Sequence, residues 1–98
     1  MVTITALDHV ARCYTGEDGD IILAILQRHL AGKGTVTLSF HGVGDVTSSF
    51  VNSGLVPLLE TMSFDDIRAK LRIVRGTRQI NDMIGRCFRN ALRVPQAA

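Results

Sequence analysis

The run TVTLSFHGVGDVTSSF, residues 35–50, decides how this chain folds. Its first six residues are short, rich in β-branched side chains and bounded by Gly34 and Gly42, which predicts a central strand. Hydroxyl residues then cluster at Thr47, Ser48, Ser49 and Ser53, and an apolar stretch from Phe50 to Met62 reads as a helix. Pro57 lies inside that stretch. A proline in a helix interior costs ~3 kcal/mol, so the regular helix begins near Asn52 or Ser53, or it kinks. The hydroxyl cluster at the loop-to-helix junction admits three roles: capping the helix, binding a phosphate, or accepting one from a kinase.

Outward from this run, strands and helices alternate. VTITAL near the start alternates in β-branched residues and predicts a strand, which HVARCY extends or follows with a second short one. TGEDGD reads as a turn, with Asp18 or Asp20 suited to a helix N-cap or first turn. In IILAILQRHLAG, Ile21, Ile22, Ile25, Leu26 and Leu30 recur on one helical face, and Gly32 and Gly34 supply the stop. FDDIRAK reads as a connector, and KLRIVRG as a strand with Leu71, Ile73 and Val74 inward. TRQINDMIGRCFRNAL is a helix capped by Thr77, burying Ile80, Met83, Ile84, Cys87, Phe88 and Ala91. The pattern predicts a small α/β domain with a mainly parallel or mixed sheet of about four strands. Three helices near 20–31, 50–62 and 77–92 would flank it. One domain spans 1–93, with a disordered tail at 94–98.

At 98 residues the chain holds one domain, too short for a catalytic domain plus a regulatory one. Its 46% hydrophobic content excludes a disordered chain. A domain near this size buries only about 60–70% of its unfolded surface, so a homodimer partner would help. No apolar run reaches the ~20 residues of a membrane span. MVTITALDHV lacks the basic and apolar regions of a secretory signal, and a cytoplasmic location is expected. Cys13 and Cys87 are too few for a disulfide framework and form no CxxC or Cys-His pair, so reduced thiols and no metal are expected.

The chemistry-bearing motifs mostly fail their own tests. Gly42-Val43-Gly44 follows a strand and precedes a helix, but Thr47 stands where GxGxxG needs its third glycine. No Gly-Lys-Ser/Thr follows either, so no P-loop forms, and the glycines serve a tight turn. His41 borders the loop as a general base for a serine in principle, yet it has no clear partner carboxylate beside Asp45. His9, His29 and His41 fall in different elements, which argues against a shared metal.

VTLSFHGVGDVTSSF resembles the STAS domain signature: a strand, a Gly-Val turn, a small polar segment with paired serines, and a helix. It is most similar to the bacterial STAS-like family of unknown function, whose members read roughly "v.lDF.gV..i.sSFa". LRIVRGTRQINDMIGRCF is similar to the unit that closes those chains, so the resemblance runs from about Gly19 to Ala91. It implies a domain without chemistry of its own, hence no enzyme and no cofactor. STAS domains of the anti-sigma-factor antagonist type bind a histidine-kinase-like ATPase, which phosphorylates a serine at the start of the helix after the second core strand. On this chain that implies Ser48 as phospho-acceptor, followed by Ser49. Thr47 stands at the motif's aspartate and Phe50 at its glycine, while Ser39 replaces the aspartate common in the strand. The STAS-like family shares the phenylalanine, so these departures bear on phospho-switching and not on the fold.

The resemblance implies a signalling module whose partner surface comprises Gly42, Gly44, Asp45, Thr47, Ser48, Ser49, Asn52 and Ser53. A competing reading comes from charge. Residues 1–67 hold three basic and eight acidic residues, whereas 68–98 hold eight basic residues and only Asp82. Arg78, Arg86, Arg89 and Arg93 share one face of the last helix, a stripe suited to an anion or a nucleic-acid backbone. With no Trp, one Tyr and four Phe, few aromatics are on hand for base stacking, and a solvated helix face is the plainer account.

Overall fold

β2 (Val36–Ser39) is buried at all four residues, as a central strand paired along both of its edges can be. It lies between β1 (Val2–Thr5) and β3 (Leu71–Val74), both parallel to it, with Leu38 in register with Ile4 on one side and Ile73 on the other. The computed structural model describes residues 2–32 and 34–93. The tail expected at 94–98 lies outside the described residues.

Among the described residues the sheet has three strands, against the expected four or so. HVARCY is irregular, because the chain turns away after β1 in a 3-10 segment, Ala6–Asp8. The amides of His9 and Val10 both donate to the Ala6 carbonyl, at 3.0 and 3.1 Å, which removes them from any strand ladder. Val10 and Cys13 still bury their side chains as anchors of this loop.

Among the described residues four α-helices accompany the sheet: α1 (Gly16–Leu30), α2 (Ser48–Gly54), α3 (Phe64–Lys70) and α4 (Arg78–Arg93). TGEDGD is therefore the first turn of α1 and not a turn before it. Thr15 Oγ1 accepts from the Asp18 amide at 3.1 Å and Asp18 Oδ2 accepts from the Thr15 amide at 3.2 Å. This reciprocal capping box starts the helix at Gly16, five residues before its apolar pattern begins at Ile21. Ile22, Leu26 and Leu30 are buried as expected, whereas Ile21 is 46% exposed on the helix flank. The stretch expected as one helix from 50 to 62 is divided into α2 and a 3-10 segment, Val56–Glu60, with Pro57 in its first turn, where its missing N–H costs nothing. FDDIRAK is helix α3 and not a connector. Ser63 caps it by accepting from the Asp66 amide, with Asp65 and Asp66 in the first turn and Arg68 and Lys70 in the last.

The two parallel connections, β1 to β2 and β2 to β3, step across the sheet in the same direction. Right-handed crossovers then put α1 and α2 on one face, and these two helices form the closest helix pair of the fold. Gly19 and Gly54 make that approach possible. A Cβ on Gly19 would lie 2.5 Å from the Phe50 carbonyl oxygen and 2.9 Å from the Gly54 nitrogen. Beneath the crossing, Ile22, Leu26, Phe40, Phe50, Val51 and Leu58 fill the core. The Phe40 and Phe50 rings meet edge to face at 6.4 Å, so the residue just after β2 and a residue in the first turn of α2 pack on each other.

Candidate functional site

The loop from His41 to Thr47 leaves the carboxyl end of β2, where ligands of parallel sheets bind. It is short of regular hydrogen bonding yet held at almost every step. Gly42 turns the chain with φ of 84°, a conformation that a side chain would strain, whereas Gly44 needs no such freedom. Val43 and Val46 are buried and pin the loop to the core.

Side chains from two distant parts of the chain clamp the loop. Gln79, in the first turn of α4, accepts from the Val46 amide through Oε1 and donates to the Val46 carbonyl through Nε2, both at 3.0 Å. Thr77 Oγ1 donates to the Gly44 carbonyl at 3.1 Å and accepts from the Ile80 amide, so the α4 cap expected at Thr77 also holds the loop. From the other side, the Tyr14 hydroxyl donates to Asp45 Oδ1 at 2.8 Å. That bond raises the Tyr14 hydroxyl above its ordinary pKa, because the neighbouring carboxylate disfavours a second negative charge. Asp45 is thus engaged within the loop. His41, exposed, donates its backbone N–H to Ser39 Oγ at 3.2 Å.

Thr47 closes the loop and opens α2. Its hydroxyl donates to the Tyr14 carbonyl at 2.6 Å and accepts from the Phe50 amide at 3.2 Å. Capping, expected of Thr47, Ser48 and Ser49 together, is done by Thr47 alone. Ser48 and Ser49 are exposed on the first turn, while Phe50 beside them is fully buried. The backbone is fixed around them, and their own hydroxyls are not its cap.

The eight residues expected to form one contact surface divide over different sides of the junction. Gly42, Gly44 and Asp45 line a shallow depression with Leu7, Arg12 and Tyr14. Ser48 and Asn52 face a separate cleft against α4, of about 530 Å³, completed by Met83, Arg86, Cys87 and Asn90. Ser53 belongs to neither: half-buried, it packs its hydroxyl against Gly16 of α1. The cleft joins two features read separately in the sequence, since it brings Arg86 of the arginine stripe alongside Ser48. Arg78, Arg89 and Arg93 are exposed elsewhere on α4. Gln79 and Tyr14 carried no signal in the sequence, because their partners lie more than thirty positions away.

Both cysteines are free and buried. Cys13 is fully buried, and desolvation, reinforced by Asp18, pushes its thiol up to about 11. Burial likewise raises Cys87. Among the described residues no three His, Cys, Asp or Glu side chains gather closely enough to hold a metal ion. No described helix is long and apolar enough to cross a membrane.

No curated protein and no solved structure matches the chain. A family model described as a STAS-like domain of unknown function matches residues 18–80, from the first turn of α1 through the clamped loop to the start of α4, and the chain belongs to that family.

Proposed function

We propose that this domain is a non-enzymatic regulatory module that binds a protein partner through the β2–α2 junction, with Ser48 as the residue whose modification switches the contact. The observation carrying this reading is the division of labour among the hydroxyls. Thr47 supplies the cap and Phe50 the anchor, which leaves exposed Ser48 and Ser49 on a preformed backbone. A phosphate on Ser48 would add about −1.5 to −2 charges to that surface without removing any bond that holds it. A kinase related to histidine-kinase ATPases is the partner class that the family resemblance suggests.

Phosphopeptide mapping of the protein isolated from the cells that make it tests the switch. A photo-crosslinker at position 48, compared with one at Glu60, tests the surface. Phosphate on Ser48 and a specific adduct from position 48 alone are expected. An unmodified Ser48 together with equal labelling from both positions would refute the proposal.

A second reading rests on the exposure of Arg78, Arg86, Arg89 and Arg93 along α4. Such a stripe would suit a nucleic-acid backbone, with an affinity that falls steeply with salt.

A further inference from the structure

The other flank of α4 carries a feature that the junction does not use. At 100° per residue, Gly85 and Phe88 lie across the helix from Arg86 and Asn90. There α3, β3 and α4 flank a half-open apolar pocket of about 160 Å³ lined by Leu55, Phe64, Ile67, Ile73, Ile84 and Phe88. Its floor is core: Leu55 is fully buried, and Ile67 and Phe88 are at most 5% exposed. Enclosed cavities near 150 Å³ lined by such side chains accept benzene, which sets the scale for this half-open one. The pocket is therefore large enough for one aromatic ring or a branched aliphatic body of similar size.

One guanidinium lines it, and a second, from a different helix, reaches over its Gly85. Arg68 of α3 lines the pocket with its guanidinium carbon 5.8 Å from the centre of the Phe64 ring. Arg89 of α4 lies back along its helix over Gly85, and a Cβ there would come within 3.2 Å of Nη1. Gly85 itself lines the pocket, so its missing side chain leaves the cavity open and leaves room for Arg89 to lie over that position. No Asp or Glu is among the lining residues. An apolar pocket lined by one guanidinium, with a second reaching over Gly85 and no carboxylate in the lining, selects by charge as well as by shape. It disfavours an amine, gives a neutral ring only burial, and adds charge-assisted hydrogen bonds to a carboxylate.

We infer that this pocket binds a compact apolar carboxylic acid, whose ring or branched body fills the chamber and whose carboxylate is received by Arg68 and Arg89. The site is independent of the β2–α2 junction.

The test is a pair of titrations of the ¹⁵N-labelled full chain, one with phenylacetate and one with its neutral isostere phenylacetamide. Phenylacetate is expected to shift the amides of Ile73, Gly85 and Phe88 and to bind at least about ten-fold more tightly than the amide. In the double variant Arg68→Gln, Arg89→Gln, the acid's affinity falls to that of the amide, whose own affinity does not change. Gly85→Leu, which fills the mouth, abolishes both. Should Gly85→Leu fail to fold, the double arginine variant decides alone. Equal binding of acid and amide to the unaltered chain would overturn the inference. So would shifts confined to other residues, or no shift with acid at about 10 mM.

Discussion

Replacing Gly19 by alanine should destabilise the fold even though alanine is the better helix former. In an exposed helix interior this change gains about 1 kcal/mol. At Gly19 the new methyl would lie 2.5 Å from the Phe50 carbonyl oxygen, 2.8 Å from Ser53 Cβ and 2.9 Å from the Gly54 nitrogen. The obstacle is mostly backbone, which cannot swing aside as a long side chain can. Reaching ordinary contact at 3.4 Å requires α1 and α2 to separate by roughly 0.9 Å along that direction. Separation loosens Ile22, Leu26, Phe50 and Val51 together, and overpacking of this kind costs about 1–3 kcal/mol. With the upper end of that range set against the helix gain, the net loss is about 2 kcal/mol.

Urea unfolding followed by circular dichroism reads this as a midpoint lower by about 1 M or more at unchanged slope. Thermal unfolding reads it as a loss of about 10 °C for a domain of this size. Gly85→Ala is the matched control, because the nearest atom there is the flexible end of Arg89 at 3.2 Å. It should raise stability by up to about 1 kcal/mol. A Gly19→Ala protein as stable as the unaltered chain, or more so, would refute the close crossing of α1 and α2.

The division of roles among the hydroxyls predicts that Thr47→Ala costs about 1–2 kcal/mol, since it removes both the α2 cap and the bond to the Tyr14 carbonyl. Ser48→Ala should stay within about 0.5 kcal/mol, and a larger cost in urea titrations would reassign the cap. High pH should destabilise the protein. The Cys13 thiol rises from 9.0 to about 11 on folding, so its contribution is complete below pH 9 and is lost as the pH climbs through about 11. Urea midpoints that hold level from pH 9 to 11 would contradict this. If the arginine stripe binds nucleic acid, affinity should fall steeply between about 50 and 200 mM salt, and Gln at Arg86, Arg89 and Arg93 should flatten that slope. No binding at low salt removes that reading.

Local chemistry made much of this fold legible in the sequence. The β-branched run at 35–40, bounded by glycines, pointed to a central strand, and the strand–helix alternation to a parallel or mixed sheet, which is parallel. The apolar face of α1, the Thr77 cap and the inward Phe50 were equally local matters of spacing and polarity. Short helices were harder to read. α3 shows few apolar residues in seven, and its signals are a serine cap and graded charge, which a polar connector can also carry.

What only the tertiary structure decided were the choices between chemically equivalent residues. Thr47, Ser48 and Ser49 are all competent caps. Thr47 takes the role, and its hydroxyl also reaches the Tyr14 carbonyl 33 positions away. Gly19 and Gly54 look like ordinary helix weaknesses until the two backbones meet at them. Ser48 and Arg86 come to share one cleft because α2 and α4 pack side by side. Spacing and polarity act over a few residues, whereas these pairings depend on how whole elements are placed against one another, which no local pattern records.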